Sequence, residues 1–123
     1  MMETRNVAVL GASPKPDRFA NKAVRMLIRH GFNVLPVNPA FTHIEGLPCF
    51  KNLSDITEPI DTVTLYLGEK NSMPLIDEII AVHPRRIIMN PGAHNDTLEE
   101  KARESGIEVE HDCTLVMLGA NAF

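Results

Sequence analysis

At 123 residues, 44% hydrophobic and 23% charged, the chain is long enough to bury a core without disulfides or a structural metal. A formal net charge of −4, with no basic run longer than Arg85-Arg86, excludes a reader of the nucleic-acid backbone, which needs a concentrated basic face. Apolar runs are too short to span a bilayer, and residues 1–6 lack the apolar region of a signal peptide, so the expectation is a cytoplasmic protein with no membrane partner.

Residues 5–10 form an apolar run closed by Gly11, the pattern of a strand buried in a parallel sheet. Ala20, Ala23, Val24, Leu27 and Ile28 recur at helical spacing, and Gly31 stands where that helix should end. Residues 33–38 read as a second strand, in which Pro36 withholds one ladder donor and suggests a gap in pairing. Residues 39–59 are a long connection through Gly46-Leu47-Pro48, with a helical turn near residues 53–56. Residues 61–67, rich in β-branched side chains, make the third strand. Ser72 is placed to cap a helix whose stripe is Leu75, Ile76, Ile79 and Ile80, with Asp77 and Glu78 outward and His83-Pro84 at its close.

Residues 85–90 give the fourth strand. Asp96 with Glu99 reads as a capping box for a helix that turns Leu98 and Ala102 inward and stops at Gly106. Residues 107–110 are a short fifth strand. Strict βαβ alternation calls for an α/β fold: a three-layer Rossmann-like domain with a five-stranded parallel sheet and right-handed crossovers. Residues 1–123 are read as one domain.

In such a sheet, ligands bind beyond the carboxyl ends of the strands at the switch point of the topology. Gly11-Ala12-Ser13, after the first strand, stands where backbone N–H groups cradle a pyrophosphate; Ser13 adds a hydroxyl, and Lys15 and Arg18 add cations. The loop is no dinucleotide fingerprint, since Ser13 and Pro16 occupy glycine positions of GxGxxG, and no P-loop is present. The second strand ends in Asn38-Pro39 instead of a carboxylate. A neutral end tolerates the phosphorylated ribose of coenzyme A or NADP, which a carboxylate would repel. Glu69 and Lys70 are the charged pair after the third strand, while Tyr66 and the methionines are assigned to the core.

Five histidines lie scattered without HxH or HExxH spacing, so no metal ligand set is read. Cys49 and Cys113 lack CxxC spacing and read as reduced structural thiols. Cys113, near His111 and with His94 at the neighbouring strand end, is the one place for a thiol nucleophile. Glu99-Glu100 suits the positive end of a helix dipole.

The combination of residues 7–13 (VAVLGAS), Asn38-Pro39, Gly46 and Asn90-Pro91-Gly92 resembles the small CoA-binding domain proteins. These are similar to the amino-terminal CoA-binding domain of the succinyl-CoA synthetase α subunit, and the resemblance runs over residues 6–118. It implies coenzyme A lying across the strand ends. Gly11, Ala12 and Ser13 would sit on the phosphates, Asn38 and Pro39 near the adenosine, Leu67 and Lys70 beside the ligand, and Asn90, Pro91 and Gly92 toward the pantetheine. The phosphorylated histidine of the synthetase belongs to a further domain, so the implied role is binding without catalysis. The sequence departs from the synthetase at Ala40 and Phe41, where no basic residue follows the second strand. Two other readings stand beside this one. One is a small enzyme using NADP or acyl-CoA with Cys113 or His94 as reactive group. The other is a degenerate Rossmann scaffold acting through oligomerisation, such as a homodimer, with Pro91 and Phe123 near an interface.

Overall fold

The alternation of apolar runs and amphipathic segments is realised in the computed structural model, which describes residues 5–123. The reading of the opening residues 1–4 lies outside the described residues. β1 (Asn6–Leu10) leads into α1 (Phe19–Arg29) and β2 (Asn33–Val37). A small hairpin of β3 (His43–Ile44) and β4 (Leu47–Pro48) follows, then a 3-10 turn at Leu53–Asp55. β5 (Thr62–Leu65) is followed by α2 (Glu69–Ser72), a 3-10 segment at Met73–Leu75 and α3 (Ile76–Val82). The chain continues through β6 (Arg86–Met89), α4 (Asp96–Glu104), β7 (Glu108–His111) and α5 (Thr114–Gly119).

The five long strands are all parallel, in the order β2-β1-β5-β6-β7. The chain adds β2 on one side of β1 and β5 on the other, so the switch point falls between β1 and β5. Alternate side chains serve opposite layers. Ala8, Leu10, Val63, Leu65, Ile87 and Met89 pack with Ile76 and Ile79 of α3 and Leu98 and Ala102 of α4. Val7, Val9 and Val34 pack with Val24 and Leu27 of α1 and Leu118 of α5. Full burial of a Leu or Ile side chain contributes about 1.5–3 kcal/mol, which fixes the strand register by its sidedness. Among the described residues no helix is long and apolar enough to cross a membrane.

Several local expectations change. Pro36 lies within β2, an edge strand, and its carbonyl points outward to accept Phe50 N–H at 2.9 Å. The missing donor therefore faces the open edge, where a proline is tolerated. Ile28 continues the helical spacing but is 41% exposed. Ser72 caps nothing: it is fully buried and its Oγ accepts Asn95 Nδ2 at 2.8 Å. The cap of α4 is that same Asn95, whose Oδ1 accepts Leu98 N–H at 3.0 Å, one residue before the expected Asp96. The β3–β4 hairpin and α5 were not anticipated.

At the carboxy end, Phe123 packs on its own domain while residues 119–122 are exposed. The Phe123 ring meets Phe32 edge-on at 5.1 Å and lies 4.5 Å from the Arg86 guanidinium. Arg86, only 4% exposed, also donates to Thr62 Oγ1 at 2.9 Å and pairs with Glu110 at 3.2 Å.

At the amino-terminal edge of the sheet, Asp61 accepts Arg85 Nε at 2.9 Å and Thr62 Oγ1 at 2.7 Å. Burial pushes its carboxyl up, but these bonds and the charges of Arg85 and Arg5 outweigh that and hold it below its ordinary range. A carboxyl depressed in the folded state stabilises fully above its unfolded value, about 3.9, and that contribution is lost as pH falls through the folded value. Asp61→Asn should therefore lower the unfolding free energy by about 1 kcal/mol at pH 7, the figure being kept small by solvent screening. Urea melts across pH should show the gap between variant and parent closing as pH drops below about 4.

Candidate functional site

The carboxyl ends of β1 and β5 open into a cleft of about 760 Å³ lined by residues from four segments. The loop after β1 and the start of α1 supply Gly11, Ala12, Ser13, Lys15, Asp17, Arg18 and Phe19; β2 is followed by Asn38 and Phe41. The stretch after β5 supplies Tyr66, Leu67, Gly68 and Asn71, and Pro91 follows β6. The volume suits a nucleotide-sized ligand. A smaller recess of about 170 Å³ adjoins it, shares Gly11, Asn38 and Leu67, and is walled by Leu10, Val37, Pro39, Leu53 and Leu75.

Gly11 makes the turn possible for two reasons. Its φ is +93°, and a Cβ there would stand 2.9 Å from Leu67 Cδ2 and 3.1 Å from the Tyr66 carbonyl carbon. The loop after it is braced from α1. Asn21, fully buried, donates Nδ2 to Ser13 O at 2.9 Å, and Arg25 donates to Pro16 O at 2.9 Å and to Asn21 Oδ1 at 2.8 Å.

Two of the loop's backbone donors are engaged within the domain. Gly11 N–H and Ala12 N–H both donate to Val37 O, at 3.1 and 3.2 Å, tying the loop to β2. The open donors lie further on. Helix α1 has no side-chain cap and no acidic residue in its first turn, so the N–H groups of Phe19, Ala20 and Asn21 have no partner within the helix. Ser13 Oγ accepts Lys15 N–H at 3.1 Å, which leaves its hydroxyl proton to donate. Lys15 and Arg18 are exposed beside these groups, and among the described residues neither forms an ion pair. A helix amino terminus with two adjacent cations favours an anion there, with the Asp17 carboxylate as a nearby opposing charge.

Both asparagine side chains are hydrogen-bonded within the domain. Asn38 Nδ2 donates to Ala12 O at 2.8 Å, and its Oδ1 accepts Ala40 N–H at 2.9 Å. Asn90 is 3% exposed. Its Nδ2 donates to Thr64 Oγ1 at 2.8 Å and Leu65 O at 2.9 Å, and its Oδ1 accepts Thr114 N–H at 2.9 Å. Pro39 lines the recess and not the main cleft. Lys70 sits exposed on α2 outside the lining, and Gly92 lies on the exposed turn after Pro91.

Lining residues that sequence reading did not assign to the site include Asp17, Phe19, Phe41, Tyr66 and Asn71. Phe19 is 68% exposed and Phe41 37%, so two aromatic rings are accessible in the cleft. Their signal was present as apolar rings next to Arg18 and Ala40, off any buried stripe. The Tyr66 hydroxyl is buried beside the Thr64–Thr114 hydroxyl pair without itself meeting a partner in bonding geometry. Burial pushes its phenol up to about 12, with the nearby Thr114 and Thr64 hydroxyls working against that rise. It therefore stays protonated near neutral pH.

The reactive residues weighed from the sequence are not assembled as a pair. Cys113 precedes α5, with its N–H on Asp112 Oδ1 at 2.7 Å, and among the described residues its thiol has no hydrogen bond to a histidine. His94 turns its ring nitrogens toward Asp96 and His111. Burial pushes the Cys49 thiol up, against a hydrogen bond to the Asn38 carbonyl, so it is a poor nucleophile.

Comparison with known proteins agrees with this architecture. An uncharacterized protein of known crystal structure superposes with a TM-score of 0.92 at 37% identity, over 99% of this chain and 100% of its own. The uncharacterized protein YneT of Bacillus subtilis is 23% identical over 91% of this chain and 83% of its own length. The α subunit of ADP-forming acetate–CoA ligase II from Pyrococcus furiosus is 23% identical over 95% of this chain, which spans only 26% of that subunit. A family model described as the CoA binding domain matches residues 5–119. With that match running from β1 through α5, the chain belongs to the CoA-binding domain family.

Proposed function

We propose that this chain binds coenzyme A or an acyl-CoA across the carboxyl ends of β1, β5 and β6, as a module that holds the cofactor without reacting it. The observation that carries the reading is the uncapped amino terminus of α1 beside the Ser13 hydroxyl, Lys15 and Arg18, at the switch point of the sheet. The phosphates would lie there. The adenosine would lie toward the recess at Asn38 and Pro39, and the pantetheine would run past Tyr66, Gly68, Asn71 and Pro91. Residues 1–123 would act as one binding domain in the cytoplasm. Binding without reaction is supported by the cleft itself, whose lining includes neither Cys113 nor His94.

Charge removal in the loop tests this. Calorimetric titration with CoA should show Lys15→Ala and Arg18→Ala each weakening binding about tenfold, as expected for a lost charge-assisted hydrogen bond. Both losses should shrink at high salt, because the cations are exposed. Unchanged affinity in the double variant would place the phosphates elsewhere.

A further inference from the structure

His94 follows the turn after β6, and His111 ends β7 in register with Met89. The pairing of those two strands brings together imidazoles that are seventeen residues apart, with ring centroids 4.8 Å apart and planes tilted by 36°. Their Nδ1 atoms face each other at 3.3 Å. Each Nε2 is engaged by a carboxylate: that of His94 by Asp96 Oδ1, and that of His111 by Glu99 Oε1 at 2.8 Å. Glu99 is itself fixed, since its Oε2 accepts Arg103 Nη2 at 2.8 Å and Nε at 3.1 Å.

This arrangement settles the tautomers. A carboxylate only accepts, so both Nε2 atoms carry hydrogen and, in the neutral rings, both Nδ1 atoms present lone pairs. Two lone pairs aimed at each other at 3.3 Å repel unless a positive charge sits between them. Two nitrogens bound at about 2.05 Å to one tetrahedral zinc ion are themselves about 3.3 Å apart. A ligating histidine whose other ring nitrogen donates to a carboxylate is the usual support for such an ion. One donor atom each from His94, Glu99 and His111 lies within 4.8 Å of the others. Both imidazoles are about half exposed, at 55% and 43% of the side chain, so water can complete the coordination.

We propose that His94 and His111 bind a divalent transition-metal ion of the zinc type through their facing Nδ1 atoms, with Asp96 and Glu99 as positioning residues behind them. The site is separate from the nucleotide cleft, whose lining includes neither histidine. The inference stands whether or not CoA binds.

The test is calorimetric titration of the tag-free full chain with zinc chloride, with parallel observation of the imidazole NMR resonances. One saturable zinc per chain is expected, with the His94 and His111 resonances shifting together while those of His30, His43 and His83 stay put. His94→Ala and His111→Ala should each abolish the event. Glu99→Ala should weaken it about tenfold to a hundredfold. Circular dichroism of each variant checks that the fold is intact, as expected for two exposed histidines and a half-buried glutamate. No zinc uptake by the parent chain, or equal uptake by the His94→Ala/His111→Ala double variant, overturns the assignment.

Discussion

Gly11→Ala is expected to abolish measurable CoA binding and to lower the unfolding free energy by about 2–3 kcal/mol. The stability loss has two sources. An L-residue is strained at φ +93°, and the added Cβ would meet Leu67 Cδ2 at 2.9 Å and the Tyr66 carbonyl carbon at 3.1 Å. Leu67 can rotate away, but the backbone of Tyr66 cannot, because its N–H is fixed to Leu10 O at 2.9 Å. Relief must come from the loop, and the loop carries Ser13 and leads into the open end of α1. Movement there displaces the donors from a common anion, so binding falls further than stability. Gly11→Val, β-branched at the same φ, should be worse on both counts. Denaturant melts and CoA titration of the same preparations separate the two effects. Normal affinity in a folded Gly11→Ala variant would detach the loop from the ligand.

The second large effect belongs to Asn90. Asn90→Ala should destabilise by about 3 kcal/mol, because it leaves a buried N–H at Thr114 and a buried carbonyl at Leu65 without their side-chain partner. Thr114 is fully buried at the start of α5, out of reach of a replacement water. The CoA affinity of the folded fraction should barely change, since the amide is engaged with β5 and α5. A stable Asn90→Ala variant that has lost CoA binding would instead return this residue to the role the family resemblance implies, beside the pantetheine.

These two residues also mark where sequence reading succeeds and where it stops. The strands were legible because parallel strands covered on both faces read as unbroken apolar runs, as in residues 7–10 and 87–89. Their carboxyl ends could then be gathered on paper, which brought Gly11, Ser13, Lys15, Arg18, Leu67 and Pro91 to one edge. What the amides do was not legible. Asn38 and Asn90 look like ligand donors in sequence, yet their partners, Ala12, Thr64 and Thr114, are distant residues brought close only by sheet order. The same holds for Ser72 and Asn95, whose mutual bond displaces one expected cap and supplies the other. Helix α5 is a different case. It buries Thr114, Met117 and Leu118 at helical spacing, but over six residues that pattern cannot be told from the end of an apolar strand. His94 and His111 have no spacing to read, because the register of β6 on β7 alone creates the pair.

The most direct test of the account is isothermal titration of the full chain with CoA, run beside acetyl-CoA, NAD and NADP and repeated on Gly11→Ala. The expected result is saturable heat for CoA and acetyl-CoA at one site per chain, absent for NAD and absent in the variant. Silence toward CoA, or CoA heat that survives unchanged in Gly11→Ala, would contradict a CoA site at the β1–β5 switch point.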